Sequence, residues 1–398
     1  MKRLSLIAGV LSCIISTVAL GADSPFFRGP NWNGIYAETG LNKDWKAKPP
    51  KQLWRTAMTD NGYAGPCVAA GKLFIVDHKG ADDIVRAIDI KSGENVWSFT
   101  YPDAAKDNFG FTRATPSYEN GKLYTFSRTG VLNCLDAEKG AKVWSRELMK
   151  ELGGAHGAWD YAGSPFIDGE KIIIPIGGAG HAVVAVDKAT GKDIWKGGGD
   201  DEAGYATPVL ATLDGKKQYL IFTGLALVGV DTDSGKMLWR SPWQTQYNVN
   251  AAMPLVIGNS VFISSNYGAG CSLVTIAGGN ATTTWKNKDL QAHFNSPLLH
   301  DGYIYGISDN MVCMDPKTGT PAWKQPGFEK GGLIAADGVI IALTGNKGDL
   351  VMVELSPKAY KELGRITPLG GQSWTAPILA DGKLYIRNKQ ALVCLDAK

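Results

Sequence analysis

One nine-residue pattern constrains this chain more than any other feature. Asp-x-x-x-Gly-x-x-x-Trp occurs with identical spacing as Asp89/Gly93/Trp97, Asp136/Gly140/Trp144, Asp187/Gly191/Trp195, Asp231/Gly235/Trp239 and Asp315/Gly319/Trp323. Self-similarity at intervals of about forty residues means stacked copies of one supersecondary unit, none of which can bury its apolar faces alone. The copy at 115–144, TPSYENGKLYTFSRTGVLNCLDAEKGAKVW, reads as four short strands joined by tight turns. Glycine makes up 49 of 398 residues, well above the usual ~7%, as a chain that turns every few residues requires.

Each repeated residue has a local reason. A proline opens the first strand, where no ladder N–H is needed. Asn120-Gly121 and Asp381-Gly382 suit the positive φ of a hairpin turn. The Asp side chain can cap backbone amides of the last turn, and its Gly takes the left-handed conformation. The Trp offers a broad apolar face to the neighbouring unit.

Taken in order, units open at Gly65-Pro66, Thr115-Pro116, Ser164-Pro165, Thr207-Pro208, Met253-Pro254 and Ser296-Pro297. The fifth reaches Trp285 but carries Ala277 and Ala281 in place of the turn Asp and Gly. A seventh, 333–363, keeps Asp337-Gly338 but lacks both proline and tryptophan. The eighth begins at Ala376-Pro377 and reaches Asp396 without a fourth strand, while residues 51–56, KQLWRT, read as a lone fourth strand around Trp54. The two halves complete one another and leave no open sheet edge. The expected fold is all-β: an eight-bladed β-propeller of four-stranded antiparallel blades, closed by an N-terminal strand. It occupies 51–398 as a single domain.

The remainder is N-terminal. Met1-Lys2-Arg3, an apolar run over 4–20 and Gly21-Ala22 have the three regions of a secretory signal peptide. Residues 1–21 are therefore expected to be removed, leaving a periplasmic or secreted protein with no stable membrane span. A retained signal anchor and a lipoprotein signal ending at Cys13 are the alternatives. Residues 22–50, rich in Pro, Gly and Asn, are expected to cross the ring as an extended arm. Without Lys2 and Arg3 the chain holds 39 basic against 38 acidic residues and no Lys/Arg run longer than two, which argues against nucleic acid as a partner. Five further cysteines sit in different units with no CxxC among them, so they read as small buried apolar side chains.

With its proline-opened hairpin, the Asp-x-x-x-Gly-x-x-x-Trp core resembles the tryptophan-docking repeat of the PQQ-like, or quinoprotein-type, eight-bladed propellers. The phrases FFRGPNWNG (26–34), WDYAGSP (159–165) and YIRNKQALVCLD (385–396) are similar to an uncharacterised group of secreted bacterial PQQ-like propellers. The resemblance implies one of two functions. One is a catalytically silent scaffold, as in the outer-membrane β-barrel assembly lipoprotein. The other is a quinoprotein oxidoreductase acting on an alcohol or sugar with PQQ and Ca²⁺. Such dehydrogenases carry a Cys-Cys pair, long insertions and often a haem domain; this chain has no Cys-Cys and no CxxCH. Fold likeness alone does not choose between them.

Blade geometry separates scaffold from rim. The segments before each proline share one face of the ring with the turns between second and third strands. Pre-proline positions are Tyr63, Arg113, Tyr161, Tyr205, Asn250, Asn295 and Trp374, with Lys330 in the seventh unit; the middle turns add Arg128, His181, Tyr267, Asp309, Lys347 and Arg387. Aromatic and polar side chains converging on a channel mouth can stack a flat ligand and hold its carboxylates through Arg113 and Lys330. The insertion at 145–161 adds His156, Trp159 and Asp160, since long loops on rigid scaffolds commonly carry binding. These residues equally suit a role in packing the loops and solvating the rim. On the enzymatic alternative, Asp160 is the base or metal ligand, and Asn250 and Asn295 add oxygen ligands for Ca²⁺. No HExxH or GxSxG occurs, so hydrolytic chemistry has no visible constellation. The favoured expectation is a monomeric, non-enzymatic propeller without cofactor or metal. It presents its loop face to an envelope protein or small ligand.

Overall fold

A computed structural model describes residues 23–398; the expected signal sequence at 1–21 lies outside them. Eight separate antiparallel sheets form the eight blades of a propeller. Blade 2 shows the plan: Ser117–Glu119, Lys122–Phe126, Val131–Asp136 and Lys142–Glu147, ordered from channel to rim. The closing blade is assembled from both ends of the chain. Gln52–Ala57 runs antiparallel to Ala391–Asp396 with Trp54 opposite Cys394, outside Lys383–Arg387 and Ile378–Ala380. Helix is confined, among the described residues, to Leu148–Leu152 and one 3-10 turn at Gln246–Asn248.

The repeated tryptophans act as expected, with an added polar component. Trp54, Trp97, Trp144, Trp195 and Trp285 each cover the turn glycine of the next blade, respectively Gly93, Gly140, Gly191, Gly235 and Gly319. A Cβ on any of these glycines would meet the indole at 2.5–2.9 Å. Each indole Nε1 also donates to a carbonyl of the next blade's turn, as from Trp97 to Ala137 at 3.1 Å and from Trp54 to Ile90 at 3.0 Å. Thus Trp54 couples blade 8 to blade 1. In three of the turns the Asp carboxylate accepts two amides, as Asp136 does from Glu138 and Lys139. Two tryptophans meet no turn glycine: Trp323 still donates to the Ser356 carbonyl of the seventh blade at 3.0 Å, whereas the Nε1 of Trp239 donates to Gln218 Oε1 of its own blade at 2.6 Å.

Hydroxyls at the inner strand entries stitch adjacent blades around the channel. Ser164 Oγ accepts the Thr115 amide at 3.0 Å, Thr207 Oγ1 the Ser164 amide at 2.9 Å, and Ser296 Oγ the Met253 amide at 2.8 Å. The five cysteines of the described chain are all buried and free.

Residues 23–50 cross the channel at the end away from these entries. Ser24 exchanges backbone hydrogen bonds with Val68 of blade 1, and Pro25 accepts the Tyr118 amide of blade 2. Trp32 packs on Phe166 of blade 3, and the buried Arg28 donates to the Pro297 carbonyl of blade 6 at 2.7 Å. Ile35–Tyr36 then adds a parallel strand to the channel edge of blade 7, and Leu41 and Trp45 enter the core shared by blades 7 and 8. The arm closes one end of the channel and leaves a blind cavity open at the other.

Candidate functional site

The cavity has a volume of about 240 Å³. Its walls are the entries of the inner strands, and Phe27 from the crossing arm forms part of the lining. Eight sequence-predicted positions meet there: Tyr63, Arg113, Trp159, Tyr205, Tyr267, Asn295, Lys330 and Trp374. Five of them, Tyr63, Arg113, Tyr205, Asn295 and Trp374, lie two or three residues before a proline that fixes where an inner strand begins.

Aromatic rings form a continuous belt around the mouth. Tyr63 stacks on Trp374 at 4.9 Å, Trp374 meets Phe294 at 4.9 Å, and Phe294 meets His293 edge-on at 4.5 Å. The series continues through Tyr267, Tyr247 and Trp159 to Tyr205, with centroid separations between 5.1 and 6.4 Å. Offset and edge-to-face pairs at such spacings are mutually favourable. Two rim rings are unlike the rest: Phe109 is 58% and Tyr247 56% exposed. Both residues occupy left-handed backbone, with φ of 59° and 63°. That conformation costs about 1–2 kcal/mol per residue and gathers at functional positions.

Charge in the cavity is one-sided. Among the described residues, Arg113 and Lys330 are the only charged side chains of the lining, and no carboxylate joins them. Arg113 is engaged: its guanidinium donates to the Trp159 and Asn108 carbonyls and lies 4.0 Å from Asp160. Burial and the nearby Arg128 pull its pKa down to about 10. Two of its five N–H donors thus already hold the loops on either side. Lys330 differs. Its Nζ lies 5.5 Å above the Trp374 ring, and no carboxylate among the described residues is within ion-pairing distance. Burial, then the charge of Lys330, pushes His293 down to about 3, so this imidazole is neutral. Its Nε2 is 3.1 Å from the Tyr267 hydroxyl, and its Nδ1 and the Trp374 Nε1 have no hydrogen-bond partner.

Four predicted residues are placed elsewhere. Asn250 is fully buried: its Nδ2 donates to the Thr223, Gly224 and Trp243 carbonyls while Oδ1 accepts from Ser265. It anchors a loop, and its full burial keeps it away from a ligand. Tyr161 packs in the core between blades 2 and 3 and donates to the Ile176 carbonyl at 2.7 Å. His156 lies against Tyr161 and holds the Gly157 carbonyl through Nδ1 at 2.8 Å. Asp160 faces Arg128, which binds its Oδ2 through Nε and Nη2. A carboxylate so engaged is neither a free base nor a vacant metal ligand. Arg128 and Arg387, middle-turn residues free to act on the sequence reading, are likewise buried clamps. Each reaches the loop leading into the next blade, Arg387 meeting Asp60 at 2.8 Å where both side chains are fully buried.

The same donor inventory bears on PQQ and calcium. The lining holds no carboxylate for a divalent cation. Asn295, whose Nδ2 donates to the Lys330 and Trp374 carbonyls, offers one amide oxygen, whereas Ca²⁺ takes six to eight oxygens. Among the described residues no cluster of three or more His, Cys, Asp or Glu is arranged to hold a metal. A tricarboxylate with its calcium does not fit the donors of this cavity.

Sequence reading overlooked Phe27, Phe109, Tyr247, His293 and Phe294. His293-Phe294 immediately precede Asn295, so extending the pre-proline window by two residues finds them. Phe27, Phe109 and Tyr247 come from irregular segments whose path only the fold reveals.

A family model described as "Outer membrane protein assembly factor BamB" matches residues 38–108 and 81–325. A quinohemoprotein alcohol dehydrogenase of Comamonas testosteroni is 28% identical over 189 residues, covering 42% of this chain and 26% of that protein. The chain therefore matches well under two thirds of that relative's length. In three dimensions BamB of Moraxella catarrhalis superposes with a TM-score of 0.64 at 17% identity, covering 87% of this chain and 99% of the other. The Comamonas testosteroni dehydrogenase superposes at 0.65 and 13% identity, covering 94% and 80%. At these identities the superpositions speak for the fold.

Proposed function

Because the chain belongs to the BamB family of PQQ-like propellers, we propose a non-enzymatic binding protein of the cell envelope that uses its loop face and channel mouth as the interaction site. The observation that carries this reading is the blind aromatic cavity, lined by two cations and no carboxylate. Phe109 of its lining and Tyr247, which packs edge-on against Trp159 of the lining, are both exposed. Apolar surface of this kind, rimmed by polar loops, marks binding rather than packing. The N-terminal basic and apolar segment supports export to the envelope. No helix among the described residues is long and apolar enough to cross a membrane.

The alternative, a PQQ- and Ca²⁺-dependent oxidoreductase acting on an alcohol or sugar, draws on the alcohol dehydrogenase relatives. It is the weaker reading here. The cavity has no calcium donor set, and Asp160, the only base candidate the sequence offered, is held by Arg128.

A photo-crosslinking residue at Phe109, on the loop face, and another at Gly121, on a hairpin at the opposite end of a blade, separate the readings. A discrete envelope partner crosslinked from 109 but not from 121, in cells, is the expected result. Dye-linked alcohol or sugar oxidation by purified protein with PQQ and Ca²⁺ overturns it, as does equal crosslinking from both faces.

A further inference from the structure

Taken as a binding site, the cavity also specifies a ligand chemistry. We infer that it accepts a one- or two-ring aromatic monocarboxylate, its ring seated in the belt beside Trp374 and its acid group on Lys330, with no divalent metal. Size sets the ring count. A protein cavity of ~150 Å³ takes up benzene, so about 240 Å³ holds a ring with a short acid-bearing chain or a fused pair.

Charge sets the acid count. Arg113 already holds two carbonyls and lies 4.0 Å from Asp160, whereas Lys330, among the described residues, has no carboxylate within ion-pairing distance and is the lining cation with its charge least engaged. With no carboxylate in the wall to repel it, an anion gains a charge-assisted bond in a poorly solvated setting. A second or third acid group on the ligand would be desolvated without a partner.

The unpartnered polar atoms point the same way. Trp374 Nε1 can only donate. If the Tyr267 hydroxyl donates to Nε2 of His293, the proton of the neutral imidazole stays on Nδ1. Both groups border the same rings as Lys330 and lack acceptors. A carboxylate supplies acceptors and no donors, matching this set, whereas an amine or a neutral alkane does not.

The proposal rests on the cavity being a binding site, and calorimetric titration of the full mature chain with indole-3-acetate and indole-3-acetamide tests it independently of any protein partner. The acid is expected to bind about tenfold or more tighter than the amide, as loss of a hydrogen bond to a charged group predicts. Lys330→Met should abolish that preference while leaving amide affinity unchanged. Lys330→Arg should retain it, and Trp374→Leu should weaken both ligands. Equal affinities for acid and amide, a preference that survives in Lys330→Met, or absence of binding by either ligand overturns the inference. So does tighter, Lys330-independent binding of PQQ with Ca²⁺. If the acid fails while Phe109 crosslinking succeeds, only the ligand class falls. If the acid binds and no partner crosslinks, the protein-binding reading falls instead.

Discussion

The Arg387–Asp60 pair sits at the seam where the two ends of the chain close the ring, and its loss has a calculable effect. All five guanidinium N–H groups have acceptors: Asn388 O through Nε, Ala64 O and Asp60 Oδ2 through Nη1, and Asp60 Oδ1 and Gly62 O through Nη2. Arg387→Leu leaves a fully buried carboxylate and three carbonyls without these donors. Only the Thr112 hydroxyl remains on Asp60. Breaking a buried pair from one side costs about 3–5 kcal/mol. Unfolding entropy of roughly 2.1 cal/mol/K per residue amounts to about 0.8 kcal/mol/K for a chain of this size, so Tm should fall by about 4–6 °C. Arg128→Leu removes the same kind of clamp one quarter of the ring away, but the side chain of Asp160 is 28% exposed and can rehydrate. A cost of about 1–3 kcal/mol, as for a bond to a charged group, is expected there. Asp60→Asn added to Arg387→Leu removes the stranded charge and should recover at least half of the loss. Scanning calorimetry of the four proteins decides. Equal shifts for the two Arg variants, or no recovery in the double variant, would refute the reasoning from burial.

Three further predictions use the same geometry. Gly121 and Gly140 both have positive φ, 77° and 71°, but a Cβ at 121 meets open space whereas one at 140 lies 2.6 Å from the Trp97 ring. Chemical denaturation should give about 1–2 kcal/mol for Gly121→Ala and a further 1–3 kcal/mol or so of overpacking for Gly140→Ala; equal costs would show that the indole gives way freely. Deleting residues 51–56 strips the outer strand from the closing blade and removes Trp54 from Gly93. The melting temperature should drop sharply and the bared edge should promote self-association, so an unchanged, monomeric protein would refute closure by that strand. The third concerns pH. Burial pushes Asp83 up to about 6 despite its bond to His78, and His78, though buried, is raised by Asp83. Both groups hold protons more tightly folded than unfolded, so their contribution is complete in acid. It is lost as pH rises from about 4 through 6 for Asp83, and above the ordinary histidine range for His78. Asp83→Asn should flatten that fall in the urea midpoint; a slope matching the parent's would refute the assignment.

Much of the fold was legible because its determinants are local. Proline at strand entry, Asp and Gly in a turn and Trp four residues later each act within one blade or on its neighbour, so a linear repeat records them. Even the defect was readable: Ala277 and Ala281 in the fifth unit announce a missing turn, though not that Trp239 would fold back onto Gln218. The arm was less legible. Its contacts fall on blades 1, 2, 3, 6, 7 and 8, and no periodicity encodes a segment that touches each partner once. Phe27 therefore could not be assigned to the cavity from its neighbours in sequence.

The site was half legible for a physical reason that concerns arginine in particular. Position before a proline predicts where a side chain is delivered, and five of the seven candidates so placed do reach the cavity. Position does not predict whether the delivered group is already satisfied. A guanidinium has five donors in a rigid fork, and a loop-rich rim is crowded with carbonyls that helices and ladders have not used. Arg113, Arg128 and Arg387 are consequently drawn into loop anchoring. The flexible Lys330, with its single compact charge, remains over an aromatic face. By the same logic Asn250 is lost to the scaffold while Trp374, with one donor and a large apolar body, stays available. In a propeller rim built this way, the cation free to bind is the one least able to satisfy the loops. Lys330→Arg therefore carries a second consequence: the new fork can reach loop carbonyls as Arg113 does, so any retained acid preference should come with a gain in thermal stability that Lys330→Met lacks.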